Sequence, residues 1–204
     1  MPFRDCLGLG LFWKHWCGAC MHKKMAEAVA RVARKVNETV ENKEDHLDLS
    51  DCQLNTFPIG LYTVMKDVAE KIVSISLANN EIKALTSKFF MTFSQLRELN
   101  LAGNCLHQLP EEAANLQHLK VIYLSRNNFQ EFPKQLVDVS TLETIDLEKN
   151  QISDIPMDKL ASMKALQSVN LKSNPLNSDR LAAYSPHKFQ LLTSDKEVPT
   201  AAQT

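Results

Sequence analysis

From residue 72 onward, apolar residues return in a fixed phrase. The segments "IVSISLANNEIKAL", "LRELNLAGNCLHQL", "LKVIYLSRNNFQEF", "LETIDLEKNQISDI" and "LQSVNLKSNPL" share the pattern LxxLxLxxNxL, with Ile, Val or Phe in place of some leucines. Their asparagines, Asn80, Asn104, Asn127, Asn150 and Asn174, stand 24, 23, 23 and 24 residues apart. An earlier copy, "LDLSDCQLNTF", carries Cys52 at the asparagine position and makes six turns in all. The LxL core predicts a short strand, with Leu99 and Leu101 on one side and Glu98 and Asn100 on the other. One copy cannot bury its own leucines, so the copies must stack into a continuous core beneath a parallel sheet. The asparagine sits where the chain leaves the strand, and its amide can satisfy backbone groups of adjacent coils. The first coil has a neighbour on one side only, so Cys52 is tolerable there.

After each asparagine the chain must return along the outer face. Phe57-Pro58, Leu109-Pro110, Phe132-Pro133 and Ile155-Pro156 suit the entry to a short helical turn, where a missing N–H costs little. The first coil is longer, 28 residues from Cys52 to Asn80, and its Leu61, Val64, Met65 and Val68 predict an outer helix. A stack of coils has two raw ends that need covers. Met25, Val29, Val32, Val36 and Val40 recur at helical spacing and predict a capping helix over 21–43. Its Lys23, Lys24, Arg31, Arg34 and Lys35, mixed with Glu27, Glu38 and Glu41, read as a solvated face. Repeats are expected over 44–177. A C-terminal cap over 178–193 would use Leu181, Tyr184, Phe189, Leu191 and Leu192, with a disordered tail over 194–204.

These copies in register resemble the leucine-rich repeat family. The resemblance runs from "MAEAVARVARKVNETVE" through "TFSQLRELNLAGN" to "SVNLKSNPLN", roughly Met21 to Asn177. It implies an α/β fold: a leucine-rich-repeat solenoid, a short horseshoe of about six repeats with an N-terminal capping helix. It carries over no catalytic motif. Residues 1–20 lie outside it and are expected to form a flexible leader.

The net charge is -1, from 23 Lys+Arg against 24 Asp+Glu, so no global field draws the chain to nucleic acid or membrane. Only five glycines occur, and none frames a phosphate-binding loop. No stretch approaches the ~20 apolar residues of a membrane span. The five cysteines are Cys6, Cys17, Cys20, Cys52 and Cys105, an odd number with three crowded at one end. That is a poor disulfide framework and points to a reducing, cytoplasmic compartment.

"WCGAC", Trp16 to Cys20, differs by one residue from the WCGPC of thioredoxins. Thiol exchange there needs a preceding strand and a supporting βαβ sheet, and neither is legible nearby. His15, Cys17, Cys20 and His22 are metal-ligand types, but one contiguous run is a strained way to build a tetrahedron. His46, His107, His118 and His187 fall in different parts of the chain, with no nucleophile or carboxylate to complete a site. No enzyme, cofactor or metal is expected.

With the leucines committed to packing, the outward strand positions are left to vary. They form two columns: His46, Ser74, Glu98, Val121, Thr144 and Ser168, then Asp48, Ser76, Asn100, Tyr123, Asp146 and Asn170. Most are small or polar and need only be soluble. Val121 and Tyr123 are the exception, an apolar and aromatic pair in a middle coil, of the kind interfaces use as anchors. Arg126 adds a second residue type common at hot spots, and Glu98, Asp146 and Glu148 add an acidic rim. Six strands at ~4.8 Å span about 24 Å, and three residues per strand offer on the order of 300 Å². A standard interface takes ~800 Å² per partner. The chain is therefore expected to be a monomeric, non-catalytic module that binds a protein or peptide through Glu98, Asn100, Val121, Tyr123, Arg126, Asp146 and Glu148. Two other readings stand beside it: a thiol-redox protein using Cys17 and Cys20, and an extracellular recognition protein, whose cysteine-rich C-terminal cap is missing here.

Overall fold

The computed structural model of the chain describes residues 23–177 and 188–193. Residues 1–22 with His15, Cys17, Cys20 and His22, the segment 178–187 with Leu181, Tyr184 and His187, and the tail 194–204 lie outside the described residues.

The repeat produces one parallel sheet whose strands follow in chain order. These are β1 (His46–Asp48), β2 (Ser74–Ser76), β3 (Glu98–Asn100), β4 (Val121–Tyr123), β5 (Thr144–Asp146), β6 (Ser168–Asn170) and β7 (Gln190–Leu192). The register sets equivalent repeat positions side by side, so Leu47, Ile75, Leu99, Ile122, Ile145 and Val169 form one inward row. Behind it, Leu77, Leu101, Leu124, Leu147 and Leu171 are all buried within a single core cluster. Stacking is what removes these leucines from water, and each coil supplies its neighbours' cover.

The sheet has seven strands, one more than the repeat count predicts. Without β7, the outer edge of β6 would present unpaired backbone groups. In its place the Leu171 N–H donates to the Leu192 carbonyl at 2.7 Å, and the Gln190 N–H to that of Gln167 at 2.7 Å. Phe189 is buried and Leu191 partly so against the last coil.

The outer face follows the proline signals. The 3-10 turns Glu111–Asn115 and Lys134–Asp138 begin directly after Pro110 and Pro133, and α4 (Met157–Ser162) after Pro156. The first coil departs from expectation. Leu61, Met65 and Val68 are buried as the spacing predicts, yet α2 covers only Leu61–Val64, and a 3-10 turn follows at Ala69–Lys71. Met65 and Ala69 bond to carbonyls four residues back, Lys66 and Val68 to carbonyls three back. The β-branched pair Thr63 and Val64 supports the regular pitch poorly, so the chain changes pitch while turning toward β2. In the next coil, α3 (Ser87–Thr92) packs Phe89 with Phe93 against Phe57, ring centroids 5.1 and 5.8 Å from the Phe57 ring.

The buried asparagines form a ladder. Asn104 Nδ2 donates to the carbonyls of Leu77 (2.9 Å) and Leu101 (3.0 Å), while its Oδ1 accepts the Ile82 N–H (3.0 Å). Asn127, Asn150 and Asn174 repeat this set one coil later each time. Each amide therefore ties its own coil to the preceding one.

The N-terminal end is closed by α1 (Lys23–Asn42). Ala28, Val32 and Val36 are its buried apolar stripe, with Thr39 beside them; Val29 is only half-buried. Arg31, Lys35 and Thr39 form a second stripe at a spacing of four. Arg31 donates to the Asp51 carbonyl, Lys35 to that of Ser50 (3.4 Å) and Thr39 to that of His46 (3.2 Å). One coil later, the carbonyl equivalent to Ser50 belongs to Ala78 and accepts the Asp51 N–H at 3.0 Å. The helix thus supplies side-chain donors where, among the described residues, no strand precedes β1. Arg31 and Lys35 are not the solvated face expected of them. Arg34 is closer to that expectation, facing Glu38 at 4.0 Å with both side chains mostly exposed.

Lys35 also meets Asp48 Oδ2 at 3.2 Å. Burial pushes the Asp48 carboxyl up, but hydrogen bonds from Ser50 and the Lys35 ammonium outweigh it and hold the group below its usual range. A depressed folded value gives stability that is present above the ordinary Asp pKa of ~3.9 and lost as pH falls through the folded value. Urea midpoints should therefore drop slightly more between pH 6 and pH 2.5 in the wild type than in Asp48→Asn. The effect is small because the side chain is half-exposed; identical drops would mean that the Asp48 charge adds nothing to stability.

Candidate functional site: the concave face

The residues flanking the buried row emerge on the concave side in the two expected columns. Glu98 lies beside Val121 and Val121 beside Thr144; Asn100 lies beside Tyr123 and Tyr123 beside Asp146. β7 extends the columns with Gln190 and Leu192. Seven strands at ~4.8 Å widen the face to about 29 Å, still on the order of 300 Å².

Several of these residues hold the backbone, a role their repeat spacing did not reveal. Asp48, Asn100, Asp146 and Asn170 each accept, through a side-chain oxygen, the N–H two residues on, at 2.9, 3.0, 3.1 and 3.2 Å. This is the Asx turn by which Asp and Asn stabilise a chain leaving a strand. The signal was present as a recurring Asp or Asn right after the middle strand residue. In the fourth coil that position is Tyr123, which cannot make this bond.

Val121 and Tyr123 are half-buried, not fully exposed, because neighbouring columns flank them. Asn170 Nδ2 bridges Asp146 Oδ1 (2.9 Å) and Glu148 Oε2 (3.2 Å), so two acids are held side by side. Lys149 Nζ lies 3.6 Å from Glu148 Oε1. Glu98 is exposed.

Arg126 stands on the rim. Asp51, Asn79, Gly103, Arg126, Lys149 and Ser173 precede the ladder position in successive coils, and all have φ between 54 and 67°. The Arg126 guanidinium turns along this rim and donates to Asn79 Oδ1 at 3.2 Å, two coils away. Gly103 lies between them, and a Cβ there would come within 2.6 Å of Asn79 Oδ1. The missing side chain is what leaves the guanidinium its route.

Other chemistry is sparse. Cys52 is buried, and burial first of all raises its thiol pKa, which suppresses the thiolate. Its Sγ donates to the Ser50 carbonyl at 3.3 Å. Among the described residues no three His, Cys, Asp or Glu side chains come together to hold a metal. His107 and His118 are exposed and in different coil segments. Among the described residues no helix is long and apolar enough to cross a membrane.

Comparison with known proteins agrees with this geometry. A family model described as "Leucine-rich repeat region" matches residues 72–182. The chain is 62% identical over 178 residues to leucine-rich repeat-containing protein 20 of Mus musculus, covering 87% of this chain and 97% of that protein. The chain belongs to the leucine-rich repeat family. The Homo sapiens protein of the same name is 62% identical over 175 residues, covering 85% of this chain and 95% of the relative. Among solved structures, the leucine-rich repeat domain of APL1B superposes with a TM-score of 0.56 at 20% identity, over 78% of this chain and 44% of that one. The TLR13–ssRNA13 complex gives 0.60 at 23% identity, over 73% of this chain and 21% of that one. At such identities the two structures bear on the fold alone. They support a leucine-rich repeat solenoid in this family member.

Proposed function

We infer that this chain is a non-catalytic interaction module that holds a protein or peptide partner on its concave face. The observation that carries the reading is Tyr123. Where four other coils place an Asp or Asn that secures the turn, this coil gives up that bond and presents an aromatic ring beside Val121. A side chain that replaces a structural bond with half-buried aromatic surface suits an anchor. Glu98, Asn100, Asp146 and Glu148 surround it, and Arg126 overlooks it from the rim. The area favours a segment of a partner over a broad docking surface. Unpaired Cys52 and Cys105 support a working place in a reducing, cytoplasmic compartment.

Tyr123→Ala combined with Arg126→Ala should abolish capture of a partner from cell lysate. The melting curve should stay within the shift expected of substitutions costing about 1 kcal/mol. Undiminished capture by a folded double variant would move the binding surface to the outer face or the loops.

A further inference from the structure

Among the described residues, two concave-face carboxylates have no cation of their own. There the Glu98 carboxylate makes no hydrogen bond or ion pair, and that of Asp146 accepts only from the Glu148 N–H and the Asn170 amide. By contrast, Asp48 has Lys35, Glu148 has Lys149 and Glu143 has Lys120. Neither column contains a single Lys or Arg, from His46 and Asp48 at one end to Gln190 and Leu192 at the other.

The register arranges these groups on a line. Glu98 on β3, the Val121 and Tyr123 pair on β4, and Asp146 on β5 lie along one diagonal of the sheet. The crossing diagonal, from Asn100 to Thr144, carries no charge. Two strand spacings of ~4.8 Å across and two residues of ~3.3 Å along separate the acidic positions by about 12 Å, centred on the apolar pair. An extended chain advances ~13 Å in four residues and turns alternate side chains to the same face. The spacing of the acids therefore matches every fourth residue of such a chain, and the pair between them matches the second.

The geometry points to a cationic extended segment as the occupant of this face, with basic, apolar and basic side chains at alternate positions, laid along the Glu98–Asp146 diagonal. This rests on the reading of the concave face given above and specifies its partner's chemistry. The apolar side chain covers Val121 and Tyr123. The basic stems lie over the ring, and their heads reach the two acids. An acidic segment in the same place would meet Glu98, Asp146 and Glu148 with like charge.

The test titrates the full chain into a fluorescein-labelled peptide of sequence Gly-Ser-Lys-Ser-Phe-Ser-Lys-Ser-Gly, followed by anisotropy. A second peptide carries Glu in place of both Lys. The basic peptide should bind at least ~10-fold more tightly than the acidic one, and less tightly as salt rises. Glu98→Gln and Asp146→Asn should each weaken it about 3- to 5-fold, while Glu81→Gln, on an exposed turn, should not. Asn at 146 keeps the oxygen that accepts the Glu148 N–H, so the turn survives, and melting curves confirm it. Equal binding of the two peptides, or indifference to both carboxylate variants, overturns the cationic partner. If Tyr123→Ala then still weakens binding, the anchor reading stands without it. Absence of binding up to millimolar protein also overturns the cationic partner, whereas lysate capture tests the anchor reading separately.

Discussion

Asn80→Ala should destabilise the protein more than the same change at any inner rung, by about 3–6 kcal/mol against ~2–3 for Asn127→Ala. The difference follows from Cys52. In the inner coils each leucine carbonyl is served twice: Leu101 accepts from Asn104 at 3.0 Å and from Asn127 at 2.9 Å. Removing Asn127 leaves Leu101 its other donor and orphans only the Leu106 N–H. In the first coil no asparagine holds the ladder position, which Cys52 occupies. Asn80 alone serves the Leu49 carbonyl (2.9 Å), and its Oδ1 takes both the Cys52 and Leu54 N–H groups (3.0 and 2.9 Å). Its loss leaves three buried backbone groups without partners, each costing ~1–3 kcal/mol, less where the coil can relax or admit water. Urea denaturation of both variants gives the ranking. Asn128→Ala, exposed and one residue from the ladder, should stay within ~0.5 kcal/mol of wild type. Equal losses at 80 and 127 would show that the first coil finds other donors.

Val32→Asp together with Val36→Asp should release the capping helix. Both valines are 1% exposed against the first coil. An unpaired carboxylate in such a place costs several kcal/mol, so the helix would leave sooner than bury two. A 20-residue helix docked on one face has little stability alone. Its departure uncovers the core end at β1, around Leu47, and strips the edge carbonyls of the Arg31, Lys35 and Thr39 donors. The expected result is a fall in helical circular dichroism accompanied by association through the opened sheet edge. Val29→Asp, at a half-buried position on the same helix, should do much less. A double variant that stays monomeric with undiminished helix signal would mean that the stripe does not hold the cap.

What could be read from the chain is what the period controls. A 23- or 24-residue repeat fixes which side chains enter the stack, so the concave columns and the asparagine ladder follow from phase alone. The ends break the phase, and there the reading fell short. β7 comes from "FQLL", too short to show a repeat, and only its pairing with β6 reveals it. Arg31 and Lys35 look solvated on a helical wheel because their acceptors, the carbonyls of Asp51 and Ser50, belong to another element. Arg126 was legible as a rim residue. That its guanidinium reaches Asn79 depends on Gly103, 23 residues upstream, lacking a side chain.

The row of left-handed residues along the rim has one more consequence. L-residues adopt this conformation at a cost of roughly 1 kcal/mol apiece, and glycine adopts it freely. Yet glycine fills the row only at Gly103, with Asp51, Asn79, Arg126, Lys149 and Ser173 elsewhere. Since the backbone dictates where each Cβ points whatever the residue, the rim works like a pegboard. Its pegs can be exchanged without redrilling the board, so a new specificity could be written there one residue at a time.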